Sequence, residues 1–291
     1  MATVLVTGAA GNVGSKVVME LRTRGIPVRA FVRDRRRAAD VLGPEVELVT
    51  GDLAEPESVE RALDGVERLF LVCANHPRQV EYGTRAIDAA AVAGVRQVVF
   101  LSTIGAEAGS PTGFFDQHGR IEEHLRDSGS GATAGVVLRS GHLMTNILGS
   151  AATIREAGRF FLPAGDAPIA MIDPRDVAAA AASVLTTTAH DGRTHVLTGP
   201  EAIGYGEVAT HLSHALGHPV EYVDVPDEAA VAAMAGAGLP QWLAEQVVAV
   251  FGALRDGVNA STTDAVRELT GREPRGYEDF ARWVAPLLRG V

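Results

Sequence analysis

The first half of the chain alternates short apolar runs with amphipathic segments, and this alternation constrains the fold more than any other feature. The runs have the length and β-branched content of strands, and the segments between them have helical spacing. Strands are predicted at Val4–Val6, Val28–Val32, Val46–Val49, Leu69–Val72, Val98–Leu101 and Gly135–Leu138. Helices are predicted at Val13–Arg24, Arg35–Leu42, Pro56–Leu63 and Val80–Ala93. Near-continuous apolar strands that alternate with helices indicate an α/β fold with a doubly wound parallel sheet.

The pattern changes after about residue 140, where short extended pieces alternate with longer helical segments. The extended pieces are Phe160–Leu162, Ile169–Ile172, His195–Leu197 and Val220–Val223, and the helices are Pro174–Leu185, Tyr205–Leu216, Leu239–Leu254 and Tyr277–Leu288. No low-complexity linker separates the two halves. We therefore expect one domain over residues 1–140 and a small C-terminal α/β lobe over residues 141–291, packed together as a single compact unit.

Three glycines follow the first predicted strand at the spacing G-x-x-G-x-x-G and open the first predicted helix. Gly8 allows a tight turn, Gly11 lets the backbone approach a ligand, and Gly14 lets the helix pack closely on the strand. A diphosphate placed there meets free N–H groups at the helix N-terminus. An ordinary βα turn can carry glycines too, but this position at the start of a βαβ unit predicts a Rossmann-type NAD(P)-binding domain.

Charged residues close the second predicted strand about 20 residues after the glycines, where the adenosine ribose should lie. Arg33 would pair with the 2′-phosphate of NADP, whereas Asp34 would accept hydrogen bonds from the ribose hydroxyls of NAD. Arg33 comes first and three arginines follow Asp34, so NADP(H) is favoured over NAD(H), although such a run also suits a solvated helix start. After the third strand, Asp52 could accept from the adenine amino group beside the Leu53 backbone, or cap the next helix.

Small or polar residues end the fourth and fifth predicted strands. Ala74 and Asn75 follow the fourth strand, and Ser102 and Thr103 follow the fifth. Ligands of open parallel sheets bind at the carboxyl ends of the strands. These four residues are therefore predicted to lie at the cofactor.

Composition and charge exclude several classes of function. The formal net charge of −10 argues against nucleic-acid binding, because neutralising phosphates requires a surplus of Lys and Arg. Cys73 is the only cysteine, which excludes an intramolecular disulfide and a multi-cysteine zinc site; we expect no metal, and Cys73 itself is predicted to be a small core residue. No signal sequence is visible and no apolar stretch approaches about 18 residues, so we expect a cytoplasmic protein without a membrane partner.

Stretches along nearly the whole chain resemble the NmrA-like branch of the atypical short-chain dehydrogenase/reductases, close to its quinone reductases and NADPH-dependent azoreductase-type proteins. The stretches shared with many dinucleotide folds are Val4–Gly14, Val28–Arg33, Gly51–Leu53 and Val98–Gly105. Later matches are Leu138–Asn146, Phe161–Asp166, Ile172–Val177 and Leu197–Ala202, and the last three are much more specific. One departure is Ser140, which stands where the family usually has a proline.

The resemblance implies NADP(H) in the crevice of the N-terminal domain, without flavin, and a substrate pocket covered by the C-terminal lobe. By match to the family, the cofactor contacts would be Gly8, Gly11, Asn12, Val13, Gly14, Arg33, Asp52, Leu53, Ala74 and Ser102.

The Tyr-x-x-x-Lys pair of ordinary members of this superfamily is absent. In those enzymes the lysine lowers the tyrosine pKa and the tyrosine exchanges a proton with the substrate oxygen. Here Lys16 is the only lysine, and the corresponding helix carries Phe114–Glu123 instead. His118 and Glu122 lie four residues apart on one helix face, so His118 could donate a proton while Glu122 orients it or replaces the lysine. An exposed i,i+4 pair without a catalytic part is the alternative.

A flat aromatic substrate would suit apolar residues near the nicotinamide, with two polar residues beside them. The substrate candidates are Phe114, Phe115, His142, Leu143, Met144, Asn146, Phe160 and Trp242. Each apolar one is individually better explained as core.

These features favour an NAD(P)H-dependent oxidoreductase acting on a quinone or related aromatic substrate, including one of polyketide type. Hydride adds directly to such an electrophilic ring, and solvent or His118 can supply the proton. Two alternatives stay open: a non-catalytic NADP(H)-binding redox sensor, as the founding NmrA-type regulators are, and an atypical oxygenase or isomerase on the same scaffold. A homodimer is compatible with the sequence.

Overall fold

The computed structural model describes residues 3–128 and 133–290. Within these residues the main sheet has seven strands, all parallel: β1 (Val4–Val6), β2 (Val28–Val32), β3 (Glu47–Thr50), β4 (Arg68–Leu71), β5 (Gln97–Thr103), β6 (Ala134–Ser140) and β8 (Thr194–Leu197). The strand order is β3-β2-β1-β4-β5-β6-β8. The predicted doubly wound parallel sheet is therefore confirmed.

The six strands predicted in the first half are present, each starting within one residue of the expected position. The strands β5 and β6 are longer than the apolar pattern indicated, and end at Thr103 and Ser140 instead of Leu101 and Leu138. They pair with each other along their whole length, which carries polar residues into the ladder at the carboxyl edge.

Helices cover both faces of this sheet. One layer holds α1 (Asn12–Thr23), α2 (Arg35–Leu42) and α7 (Pro174–Val184), and the other holds α3 (Pro56–Leu63), α4 (Gln79–Val92) and α5 (Gly113–Ser128). The alanine run 178–182 in α7 is buried throughout, because its small side chains let the helix approach α1 closely. The four helices predicted in the first half are confirmed, with ends shifted by at most one residue.

The remaining elements build the lobe over the carboxyl edge. A second, two-stranded parallel sheet pairs β7 (Arg159–Leu162) with β9 (Glu221–Asp224). Around it lie a 3₁₀ helix (Met144–Ser150), α6 (Ala151–Ala157), α8 (Tyr205–Leu216), α9 (Asp227–Gly236), α10 (Gln241–Arg255) and α12 (Tyr277–Arg289), while the short α11 (Ala265–Thr270) packs on α7. The sequence pattern did not predict α9, which is rich in alanine, or α11, which has only six residues.

The segment Ile169–Ile172, predicted as an extended piece, does not join either sheet as a strand. This segment makes only two isolated bridges, one from Ile172 to Leu143 and one from Ile169 to Ile203. Between them, the Ala170 N–H donates to the Asn259 carbonyl. Successive residues therefore bond to different parts of the chain, so no neighbouring strand runs beside the segment.

The chain crosses from one half of the molecule to the other more than once. The elements α7 and β8 come from the second half of the sequence, but they belong to the main sheet and its helical layer. The predicted division at residue 140 thus stays a prediction. The main sheet and its helical layers contain elements from both sides of that residue. Among the described residues, no helix has both the length and the apolarity needed to span a membrane.

The strand order positions the ligand crevice. Strand β1 lies between β2 and β4, and the chain leaves this centre in opposite directions toward the two edges of the sheet. Loops that diverge at such a switch point open a crevice at the carboxyl ends of the strands. The glycine-rich turn after β1 lies at that point.

Candidate cofactor and substrate site

The turn between β1 and α1 is shaped by its three glycines. Gly8 has φ +59°, a left-handed conformation that favours glycine, and its carbonyl accepts from the Gly11 N–H at 2.8 Å. A Cβ on Gly14 would collide with this same carbonyl, lying 2.7 Å from its carbon, and a Cβ on Gly11 would lie 3.0 Å from its oxygen. The tight turn therefore requires that Gly8, Gly11 and Gly14 carry no side chain.

This turn fits a dinucleotide diphosphate. Gly11 is the N-cap of α1 and provides no side-chain acceptor for the first amide groups of the helix. The first-turn N–H groups of an α-helix lack intrahelical partners and attract anions. Asn12 is exposed, Val13 and Gly14 are buried, and the Asn12 amide reaches across to the Thr145 hydroxyl at 2.5 Å. That bond ties the start of α1 to the lobe.

The loop after β2, where the sequence predicts the adenosine ribose, is rich in arginine. Asp34 caps α2, because its Oδ1 accepts from the Arg36 and Arg37 amides at 2.9 and 3.1 Å. Within the described part of the chain, the guanidinium groups of Arg33, Arg36 and Arg37 are exposed and have no hydrogen-bond or ion-pair partner. The Asp34 carboxylate is engaged in capping, and the neighbouring guanidinium groups are unpaired. This arrangement favours an anionic group on a bound ribose.

Asp52 is engaged in its own loop. Its Oδ1 accepts from the Ala54 amide at 2.9 Å, and the Ser58 hydroxyl bonds to its backbone. Asp52 and Leu53 are half-buried at the edge of the crevice. Their contact with adenine stays a prediction.

A cavity of about 700 Å³ continues the crevice beneath the lobe. It lies at the carboxyl ends of β4, β5 and β6, between these strands, α5, the 3₁₀ helix, α9 and α10. Nine of the residues predicted from the sequence line it: Asn75, Ser102, Thr103, Phe114, Phe115, His118, His142, Leu143 and Asn146. Among the other residues predicted near the nicotinamide or the substrate, Ala74, Glu122, Met144, Phe160 and Trp242 do not line it, and the cofactor contacts predicted at the glycine-rich turn, as well as Arg33, Asp52 and Leu53, lie outside it. A volume of this size accommodates a small aromatic molecule.

His118 is held as a neutral imidazole on one wall of the cavity. Its ring stacks on Phe100 at 5.5 Å, and burial lowers its pKa to about 4. Its Nε2 lies 3.1 Å from the amide nitrogen of Gln79, so Nε2 accepts and Nδ1 carries the proton. Among the described residues, this buried Nδ1 has no hydrogen-bond partner. His118 is therefore a neutral imidazole with an unpartnered buried nitrogen, and it is not an imidazolium acid at neutral pH.

Glu122 does not orient His118. Its carboxylate is almost fully buried, accepts from the Ser102 hydroxyl at 2.5 Å and forms a bidentate ion pair with Arg139, with the closest atoms 2.6 Å apart. Both His118 and Glu122 face the same strand, one over Phe100 and the other at Ser102, as residues of one helix face should. The helix face was predicted, but the partners of Glu122 on β5 and β6 were not. Glu122 fixes the hydroxyl of Ser102 at the cavity wall.

A second polar cluster comes from the lobe, and it joins the predicted His142 and Asn146 to Tyr205, which the sequence did not suggest. Tyr205, the first residue of α8, places its hydroxyl 2.9 Å from His142 Nε2, and Asn146 approaches the same ring at 3.2 Å. Burial raises the pKa of Tyr205 and lowers that of His142 to about 4, so both are neutral at pH 7. Both line the cavity. The cluster offers a neutral hydroxyl and imidazole to a ligand oxygen.

Several further cavity residues escaped the sequence analysis. Phe161 lines the cavity, whereas Phe160 is fully buried in the core of the lobe. The unpredicted α9 contributes Ala233 and Met234. Cys73 also borders the cavity, but burial raises the pKa of its thiol to about 12, which leaves it protonated and unreactive.

Comparison with known proteins agrees with this arrangement. A profile of the NmrA-like family matches residues 1–283. The chain belongs to this family. Over 279 residues it is 36% identical to an NAD(P)H azoreductase of Xenophilus azovorans, with 96% of each chain covered. It is 39% identical over 279 residues to the (4-alkanoyl-5-oxo-2,5-dihydrofuran-3-yl)methyl phosphate reductase of Streptomyces griseus, again with 96% of each chain covered.

A solved structure has the same fold as this NmrA-like chain. The NADPH-dependent quinone oxidoreductase of Escherichia coli in complex with NADPH superposes with a TM-score of 0.84 at 28% identity, covering 97% of this chain and 99% of that one. The resemblance inferred from the sequence motifs is therefore confirmed, together with the Rossmann-type fold.

Proposed function

We propose that this protein is an NAD(P)H-dependent reductase of quinones or related flat aromatic acceptors. One observation carries the proposal: an apolar cavity with a few neutral hydrogen-bonding groups opens at the carboxyl ends of β4 to β6, next to the glycine-rich turn. A hydride acceptor has to lie at this place in a Rossmann-type sheet. The activities for which the azoreductase and quinone oxidoreductase relatives are named support the same class of acceptor.

The residues of the crevice are suited to hold a dinucleotide. The bare turn at Gly8, Gly11 and Gly14 would receive the diphosphate, and the unpaired guanidinium of Arg33 would receive a 2′-phosphate. Asn75, Ser102 and Thr103 would border the nicotinamide end, where the crevice meets the cavity. The bound cofactor supplies a hydride. Because Arg33 would bind the 2′-phosphate that NADPH carries and NADH lacks, NADPH is the favoured hydride donor.

The cavity residues would bind and polarise the acceptor. When a quinone takes up a hydride, one carbonyl oxygen gains negative charge, and a proton completes the hydroquinone. The Nδ1–H of His118, which lacks an acceptor in the described structure, can donate a hydrogen bond to this oxygen. Because His118 is neutral at pH 7, the proton itself comes from solvent.

Turnover is tested by following the absorbance of NADPH at 340 nm with a panel of quinones. We expect steady oxidation of NADPH. Calorimetric binding of the cofactor without turnover on any quinone would contradict the proposal and indicate a redox sensor instead.

The role of His118 is tested with His118→Phe, which keeps a ring over Phe100 and removes the N–H. We expect kcat to fall on the order of 10²-fold, the usual effect of losing one donor to a developing oxyanion. The control is His124→Ala on the exposed side of the same helix. Equal kcat in the wild type and His118→Phe would refute the assignment.

The choice of cofactor is tested with Arg33→Ala. The change should weaken NADPH binding by roughly tenfold or more and leave NADH binding nearly unchanged. Arg272→Ala, another exposed arginine far along the chain, is the matched control. Equal loss of both cofactors would remove the argument for a 2′-phosphate site.

A further inference from the structure

The cavity carries no formal charge. Among the residues that the structure describes, not one Asp, Glu, Lys or Arg lines it, and its polar atoms come from His, Tyr, Asn, Ser and Thr side chains and from backbone. Its two histidines are neutral at pH 7, because burial lowers the pKa of His118 and of His142 to about 4. Any charge on a ligand would therefore enter the cavity without a counter-charge.

Two arginines that neighbour lining residues along the chain, Arg139 next to Ser140 and Arg255 one helical turn after Phe251, are already paired. Arg139 is bound in a bidentate manner by the buried carboxylate of Glu122. Arg255 at the end of α10 donates from both terminal nitrogens to Asp227, at 2.9 and 2.8 Å. Neither arginine lines the cavity. Turning either one toward a ligand would break its ion pair.

We propose that the cavity selects uncharged acceptors and rejects anionic ones, such as sulfonated or phosphorylated aromatic compounds. This inference rests on the proposed reductase function and narrows its substrate class. An anion that enters the cavity loses its hydration without gaining a cationic partner, which is costly. The formal net charge of −10 also disfavours the approach of an anion.

This selectivity does not follow from family membership. The Streptomyces griseus relative, 39% identical to this chain, carries a phosphate ester in the name of its substrate. Overall identity at this level therefore leaves the charge of the substrate open, and the residues that line the cavity decide it.

The test compares two acceptors of nearly equal size, 2-methylsulfonyl-1,4-naphthoquinone and 1,4-naphthoquinone-2-sulfonate. Both carry an electron-withdrawing sulfur group at the same position, but only the second is an anion. We expect kcat/KM for the neutral sulfone to be on the order of 10²-fold higher. Values of kcat/KM within about threefold of each other would overturn the inference while leaving the reductase function intact.

Binding decides the inference independently of turnover. Calorimetry on the NADPH-saturated protein, whose reduced nicotinamide is uncharged, uses a non-reacting pair, 2-naphthyl methyl sulfone and naphthalene-2-sulfonate. Tighter binding of the sulfone supports selection of neutral ligands, and equal or tighter binding of the sulfonate overturns it. If neither quinone is reduced but the sulfone still binds more tightly, the reductase function fails and the charge selection stands.

A gain-of-function variant locates the selection in the cavity. Leu239 lies at the exposed rim of the cavity, so Leu239→Arg adds a cation there without disturbing the core. We expect the ratio of kcat/KM for the sulfonate to kcat/KM for the sulfone to rise by about tenfold. Leu287→Arg on the exposed face of α12, outside the cavity, adds the same charge as a control. An equal gain in both variants would assign the effect to net charge and contradict the cavity argument.

Discussion

Replacing Gly14 by alanine should damage both the stability of the fold and the binding of the cofactor. The new Cβ would lie 2.7 Å from the Gly8 carbonyl carbon and 3.1 Å from the Ala9 Cα. Both neighbours are backbone in a tight turn, so no side chain can rotate away to relieve the contact. The turn itself has to move.

The magnitude follows from the kind of contact. Overpacking of a filled interior costs about 1–3 kcal/mol, and we expect the upper part of this range because backbone meets backbone. Moving the turn displaces the Gly8 carbonyl and with it the start of α1, whose first N–H groups are the proposed donors to the diphosphate. We therefore expect the Kd for NADPH to rise by about tenfold or more.

Gly206→Ala is the matched control, because it is also a glycine-to-alanine change in the first turn of a helix. A Cβ there meets nothing within 4 Å, so the substitution should be neutral or should stabilise the protein by about 0.5–1 kcal/mol. Urea unfolding measures the stability of both variants, and calorimetry measures the Kd for NADPH. A Gly14→Ala protein as stable as Gly206→Ala, with wild-type affinity for NADPH, would refute the reasoning about the turn.

Three other predictions concern the buried polar groups. The pKa values of His118 and His142 lie near 4 in the folded protein, below the ordinary 6.5, so the unfolded chain binds more protons between these values. The free energy of unfolding should therefore fall as the pH is lowered from 6.5 to 4, and less steeply in His118→Phe; identical slopes in urea titrations would count against this. Glu122→Gln leaves Arg139 without its counter-charge and should cost about 3 kcal/mol in urea unfolding, whereas a loss under about 1 kcal/mol would contradict the buried ion pair. Tyr205→Phe removes the hydroxyl at His142 and should lower kcat/KM for a quinone by about tenfold with little change in melting temperature, a result that an unaltered kcat/KM would exclude.

Local patterns were enough to predict six of the seven strands of the main sheet, but they did not show that β8 joins it. Alternating apolar runs and glycine or proline boundaries give strand and helix ends because they reflect contacts within a few residues. The segment Ile169–Ile172 shows the limit of such patterns. Its residues are buried against several different parts of the chain, and burial alone does not make a strand. Hydrophobic periodicity shows that a segment is buried, but it does not show which elements the segment contacts.

The candidate site was predictable where it depends on position along a strand. Ser102 and Thr103 follow from the carboxyl edge of β5, and His118 follows from the face of α5 that packs on it. Tyr205 lies 63 residues from His142, and the partner of Glu122 lies on another strand. Pairings of this kind depend on how the lobe folds over the sheet, and no spacing in the sequence encodes them.

The late strand β8 has a consequence for the order of folding during synthesis. It forms the outer edge of the main sheet beyond β6, and its last residue is Leu197. The α7 helix that covers α1 is likewise made only after residue 173. The ribosome must therefore synthesise about two thirds of the polypeptide before the main sheet is complete. A chain truncated after β6 should be insoluble.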